Sequence, residues 1–352
     1  MKKKFFLLLI ILSCVQFAYS ESPEKRIYLT SHINPQSPII DGKLNDPVWD
    51  KVLWAGDFVQ RTPYEGKEPS QATAFKILYD DRNIYVAVKA DDKEPDKIER
   101  RMSRREDVYK RQVEVHLDSY FDQRTAFCFM VNAAGVKADS VISNDGNNSD
   151  DNWDPIWYVK TDVNHAGWTA EMRIPLSQLR FGKKVDQIWG LQVSRMLFRK
   201  EETSQWQLIP QKASGWVHLF GELHGIEGIK AQRQVELTPY SVGKMQRFKR
   251  EEGNPFATGS LNNLYGGLDG KVGLTSDLTL DFAINPDFGQ VEADPSVVNL
   301  TAFETYYIEK RPFFIEGRNI LNFQIMGGDG TFSNDNLFYT RRIGRSPQYY
   351  PD

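Results

Sequence analysis

Hydrophobic and polar residues alternate with a period of two along most of this 352-residue chain, which is the mark of strands with one apolar face. In FKILYDDRNIYVAVKADD, Phe75, Ile77 and Tyr79 alternate, Asp80 to Asn83 form a turn, and Ile84, Val86, Val88 and Ala90 resume. That predicts a β-hairpin with a four-residue turn. VEVHLD sets Val113, Val115 and Leu117 against Glu114, His116 and Asp118, and GWTAEMRIP sets Trp168, Ala170, Met172 and Ile174 against Thr169, Glu171 and Arg173. Pro175 closes the second of these, since proline has no donor for the ladder. IWGLQVSRMLF and SQWQLIP add two more strands. Antiparallel strands with one greasy face each predict an all-β fold, a jelly-roll-like antiparallel β-sandwich over residues 37–229.

The pattern changes after GELHGIEGI. In YGGLDGKVGLTSDLTLDFAINPDFG, Leu268, Gly270, Val272 and Leu274 alternate, Thr275-Ser276-Asp277 turn, and Leu278, Leu280, Phe282 and Ile284 alternate again. Arms close to the roughly 9–11 residues of a tilted bilayer-crossing strand suggest a hairpin of a transmembrane β-barrel. A helix signal follows: Asp294 can cap, Pro295 suits the first turn, and Val297, Leu300, Phe303 and Tyr307 share a face before Pro312. Its charged residues, Glu304, Glu309, Arg311 and Glu316, are read as caps and salt bridges rather than as a chemical cluster.

Composition narrows the function classes. A net charge of -3 with no basic patch interleaved with aromatics excludes a nucleic-acid partner. Three lysines within Met1 to Lys4, an apolar run from Phe5 to Leu12, and Ala18-Tyr19-Ser20 before Glu21 predict a signal peptide over residues 1–20. A lipoprotein box at Ile11-Leu12-Ser13-Cys14 is the rival, and Leu12 fits it poorly. Loss of Cys14 with the signal leaves Cys128 alone, so no disulfide framework forms.

Five motifs in order, IIDGKLNDPVWDKV (39–52), ILYDDRNIYVAVKADD (77–92), VEVHLDSY (113–120), GWTAEMRIPLSQLRF (167–181) and IWGLQVSR (188–195), resemble the family 9 carbohydrate-binding modules. The resemblance implies a sugar-binding β-sandwich of a kind found appended to glycan-degrading enzymes. DVYKRQ at 107–112 departs from it, being more basic than the family just before that strand. NPDFGQVEADPSVVNLTAFETYYIEKRPFFIEGRNIL (285–321) and LFYTRRIGRSP (337–347) resemble the opening of DUF5916, a domain-of-unknown-function family that follows such modules in Gram-negative outer-membrane proteins. This implies the N-terminal part of a large barrel over residues 235–352, attached to the outer membrane. Those residues cannot supply the eight strands of the smallest bacterial barrels, so a longer chain is expected.

A sugar ring needs an aromatic plane for its apolar face and planar polar groups for its hydroxyls. Eight tryptophans are available. Trp49, Trp168 and Trp189 fall in core phase, the pattern leaves Trp206 and Trp216 unassigned, and Trp153 and Trp157 flank the polar loop NDGNNSDDNWDPIW as expected stacking platforms, with Glu114 as a polar contact. Asp145, Asn147 and Asp151 in that loop could hold calcium, although the spacing fails the EF-hand pattern. The five histidines include no HxH or HxxxH pair, and no zinc site is proposed. Glu114, Asp118 and Glu171 could build a glycosidase pair on outward strand faces, yet nothing in the pattern singles one out. The leading expectation is therefore binding of a polysaccharide or oligosaccharide at the envelope, in polysaccharide catabolism, with no catalytic residues assigned. A glycoside hydrolase, and a structural or transport protein without sugar binding, are the alternatives.

Overall fold

The computed structural model of the protein describes residues 24–98, 112–151, 153–230, 232, 235–249, 259–274, 278–285, 309, 312–315 and 340. The chain divides into two compact units, Met1–Ser149 with Pro155–Lys230, and Asp150–Asp154 with Ala231–Asp352.

The first unit holds two sheets. One runs β10 (Tyr158–Asn164), β11 (Gly167–Pro175), β5 (Asn83–Asp91), β4 (Thr73–Tyr79) and β2 (Ser31–His32). The other runs β1 (Ile27–Leu29), β14 (Gly221–Glu227), β12 (Asp186–Leu197), β6 (Gln112–Asp118), β7 (Ala126–Asn132), β8 (Lys137–Ser143) and β9 (Asn148–Asp150). From β12 it continues through β13 (Glu202–Gln205) to β3 (Val59–Thr62). The expected hairpin is β4–β5, and Asp80 fastens its turn by accepting the N–H groups of Arg82 at 2.8 Å and Asn83 at 2.7 Å. Side chains in the predicted apolar phases, among them Ile77, Val86, Val115, Leu117, Ala170, Met172, Leu191 and Val193, are fully buried. Phe75 meets Trp206 edge-on at 5.4 Å across this core.

Both sheets are also covered on the outside, which the expectation of one greasy face each did not include. Trp49, Val48 and Val52 in and after the 3-10 turn Pro47–Lys51 pack with Leu78, Tyr85 and Ala87, the opposite phase of β4 and β5. Ile209, Val217 and Phe220 pack on Ala126, Cys128, Met130 and Ala138, the outer phase of β7 and β8. Strands apolar in both phases are strands buried on both faces.

This outer layer corrects the reading of Glu171. It is fully buried rather than outward and solvated. Its Oε1 accepts Trp49 Nε1 at 3.0 Å, and its Oε2 accepts the N–H groups of Asp41 at 3.0 Å and Gly42 at 2.9 Å. The carboxylate thus ties the DGKLNDPVW segment to the sheet.

In the second unit β15 (Val235–Arg247), β16 (Ser260–Gly273) and β17 (Thr279–Ile284) form an antiparallel sheet. The register places Val235, Leu237 and Met245 on one face with Leu264, Leu268, Val272, Leu280, Phe282 and Ile284. Glu236, Thr238, Lys244, Asn263, Asp269, Lys271 and Asp281 share the other. Met245 and Leu264 are more than 80% exposed. The helix expected from Asp294 lies outside the described residues; a helical turn does begin at Pro312 and runs to Ile315.

Candidate functional site

Gln112, Glu114 and His116 occupy every second position of β6 and so project from one face. Directly across, Ser194 of β12 opposes Glu114 and Gln192 opposes His116, while Gln205 of β13 opposes Ser194. Met130 and Cys128 of β7 oppose Glu114 and His116 on the other side. The result is a polar strip crossing three strands on the outer face of the larger sheet.

Half of this strip is committed to structure. Gln192 accepts the N–H of Gln207 at 3.1 Å and donates Nε2 to its carbonyl at 2.6 Å, and Gln205 accepts the N–H of Ile209 at 3.2 Å. These bonds fasten the segment after β13 across the sheet. The other half is buried without being satisfied. Among the described residues, Gln112 Oε1, Ser194 Oγ and His116 Nδ1 are buried with no hydrogen-bond partner. An unsatisfied buried polar atom costs roughly 1–3 kcal/mol, so three in one strip call for an explanation beyond folding.

Glu114 lies at the centre, its side chain 22% exposed, accepting from His116 Nε2 at 3.1 Å and from the amide of Gln112. Burial pushes this carboxyl up, but the hydrogen bond and charge of His116 and the Gln112 amide outweigh it and hold it below the usual carboxylate range. Half-buried Trp216 meets the His116 ring edge-on at 4.6 Å and Phe220 at 4.8 Å. The strip thus combines an ionised acceptor, an amide, a hydroxyl, an imidazole and an aromatic plane. Those are the groups that bind a hydroxyl-rich ring with one apolar face.

Of the residues expected from sequence, Glu114 alone lies in this strip. Trp157 is a core residue, 2% exposed, with Nε1 donating to Asp139 Oδ2 at 3.0 Å and its ring edge-on to Phe129 at 5.3 Å. No face of it is open for stacking. Trp153 is half-buried in the short segment 150–154, which groups with the second unit.

The calcium set fares similarly. Both oxygens of Asp145 are occupied: Oδ1 accepts the N–H groups of Trp216 and His218, each at 3.0 Å, and Oδ2 meets His218 Nδ1 at 2.7 Å. Asn147 is exposed and bonds back to the Asn144 carbonyl, and Asp151 is exposed. Among the described residues no group of three His, Cys, Asp or Glu could hold a metal ion. Asp145 does not fit calcium, because both its oxygens are spent on the backbone of Trp216 and His218 and on the His218 ring.

The three carboxylates weighed for hydrolysis stand in three settings: Glu114 in the strip, Glu171 on the other sheet, and Asp118 at the end of β6. Asp118 accepts the N–H groups of Asp122 at 3.2 Å and Gln123 at 2.8 Å. Burial pushes its carboxyl up to about 6.

What pattern reading missed is Gln112, Ser194 and Trp216. A row of Gln, Glu and His at i, i+2 and i+4 in one strand was the available signal, since the bland solvated face would carry Lys and Thr as readily.

Residues 40–213 match a family model described as carbohydrate family 9 binding domain-like. The first unit is a family 9-like module. Residues 233–352 match DUF5916, a domain of unknown function. No curated protein matches the chain. Among solved structures, a family 9 carbohydrate-binding module from Caldicellulosiruptor kristjanssonii in complex with glucose is 20% identical, covering 59% of this chain and 97% of its own, with a TM-score of 0.42. Its complex with cellotriose gives 20% identity, 59% and 95% coverage, and a TM-score of 0.40. A Bacteroides uniformis protein is 15% identical, covering 57% of this chain and all of its own, with a TM-score of 0.45. The architecture of the family 9-like module rests on its strand pairing and the family match rather than on these overlaps.

Proposed function

We propose that the family 9-like module binds a saccharide at the strip formed by Gln112, Glu114, His116, Ser194 and Trp216. The observation that carries this reading is the set of three buried, partnerless polar atoms grouped beside an ionised Glu114. Saccharide hydroxyls donate and accept at once, so a sugar that docks at the 22% exposed Glu114 side chain can offer partners to Gln112 Oε1, Ser194 Oγ and His116 Nδ1 once these buried side chains turn toward it. Membership of a carbohydrate-binding family supports the same ligand class. The test is a glycan array with the full chain, followed by calorimetry with cellotriose, xylotriose and mannotriose. Glu114→Ala and Trp216→Ala are each expected to weaken binding about tenfold or more. A wild-type chain that binds no glycan overturns the reading.

We further propose that the chain is exported by residues 1–20 and anchored in the outer membrane of a Gram-negative bacterium through the second unit, presenting captured polysaccharide for catabolism. Support comes from the two-faced sheet. In its first two strands, of 13 and 14 residues, Val235, Leu237, Met245 and Leu264 share one face and Glu236, Lys244, Asp269 and Lys271 the other, with Arg247 on the apolar face and Leu261 and Tyr265 on the charged one as exceptions. Lipid outside and water inside a barrel need that separation. Faster migration of the unheated full-length protein than of the heated one in detergent gels, lost on removal of residues 235–352, would support it; recovery of the intact protein in the soluble periplasmic fraction would overturn it.

A further inference from the structure

Asp145 holds a left-handed conformation, φ 58° and ψ 39°, which is uncommon outside glycine although aspartate adopts it more readily than most residues. Its carboxylate reaches the backbone N–H groups of Trp216 and His218 and the ring of His218, and its own N–H donates to the Arg124 carbonyl at 2.9 Å. Two glycines bring the loops together. A Cβ at Gly215, φ +93°, would overlap the Asp145 carboxylate, and a Cβ at Gly146, φ +95°, would lie 2.7 Å from Trp216 Cβ. The loop of Asp145 therefore touches Trp216 at its backbone and at its Cβ, which sets the root from which the indole departs, while the His116 and Phe220 rings packed edge-on against it set its torsions.

We infer that Asp145 is a positioning residue that sets the Trp216 ring beside the polar strip for stacking on a bound saccharide, an inference that rests on the saccharide reading above. Burial pushes the Asp145 carboxyl up, but the donors from His218 and Trp216 outweigh it and hold it below the usual range. The carboxylate is thus the form that makes the latch. Asp145→Asn keeps an oxygen for the two backbone donors, and its amide can donate to His218 Nδ1 in the other tautomer. Asp145→Ala removes every one of these bonds.

The experiment uses the full chain labelled with 5-fluorotryptophan, the Trp216 resonance being assigned by its loss in Trp216→Phe, and calorimetry with cellotriose, xylotriose and mannotriose. In Asp145→Ala the Trp216 resonance is expected to move while the other tryptophans stay, with binding weakened about tenfold. Asp145→Asn is expected to restore both. A purely structural role would lower the melting temperature without this selective shift. If Asp145→Ala does not fold, Gly146→Ala presses the same Cβ directly and should move the same resonance. A Trp216 resonance unmoved in folded Asp145→Ala or Gly146→Ala, or binding by Asp145→Ala within twofold of the wild type, overturns the role of Asp145. Absence of binding by wild type and variants alike overturns the saccharide reading, and this role with it.

Discussion

Removing the charge of Glu171 without changing its shape should cost the module a measurable part of its stability. In Glu171→Gln the remaining oxygen can keep the N–H groups of Asp41 and Gly42, but the new amide then points its hydrogens at Trp49 Nε1, now 3.0 Å away. A charge-assisted bond worth about 1.5–3 kcal/mol is lost and a buried donor is stranded at a further ~1–3 kcal/mol. Something is returned. Burial pushes the Glu171 carboxyl above its ordinary value, and the three donors pull it back only in part, so a costly buried charge goes too. The net loss is expected at about 2–3 kcal/mol, with Trp49→Phe and the double variant closing a cycle whose coupling is about 1.5 kcal/mol or more. Urea unfolding followed by tryptophan fluorescence reads the module, because seven of the eight tryptophans lie in it and only Trp153 groups with the second unit. A Glu171→Gln loss below about 0.5 kcal/mol, or coupling near zero, would refute the idea that this carboxylate anchors the outer layer.

Other outcomes follow from the same contacts. With a folded value of about 6 against 3.8, protonated Asp118 contributes stability that is fully present below pH 3.8 and lost as pH rises through about 6. Asp118→Asn should flatten the melting temperature across that window, removing at most about 3 kcal/mol of pH dependence. Asp92 behaves oppositely. Burial pushes it up, yet the paired guanidinium of Arg199 outweighs this and holds it low, so its stabilisation is present above its unfolded value and lost on acidification. Arg199→Ala should therefore shift acid unfolding to higher pH, as followed by circular dichroism. Trp157→Phe should cost about 1–3 kcal/mol through its lost bond to Asp139 while leaving saccharide affinity unchanged by calorimetry. Leu264→Lys should impair assembly into lipid vesicles, whereas Asn263→Lys on the opposite face should not, since a cation facing hydrocarbon costs about 2–4 kcal/mol.

Strand alternation made the module legible. β4, β5, β6 and β11 lie where Phe75, Ile84, Val113 and Trp168 begin their alternating runs, and their inner phases are buried as expected. The second layer on each sheet was less so, because Leu78, Tyr85 and Ala87 look like noise in a two-period pattern until Trp49 is brought onto them from 29 to 38 residues upstream. The site suffered from the same limit. Glu114 could be picked from its own strand, but its partners Ser194 and Trp216 come from β12 and a turn far along the chain, and no local pattern links them. Trp157 misled for the complementary reason: it follows a polar loop, yet Asp139 on β8 supplies a buried acceptor that draws its indole inward.

The parallel pairing of β1 with β14 sets the order in which the molecule can be completed. Ile27 lies beside Glu222, and at ~5–20 residues per second the intervening ~195 residues take roughly 10–40 s to emerge from a ribosome. Through that interval the first strand has no partner on this edge. What β14 supplies is backbone pairing, since Ile27 and Leu29 remain 62% and 68% exposed in the finished fold and only Tyr28 turns inward; nascent chains stalled before Glu222 should be protease-sensitive at their N-terminus.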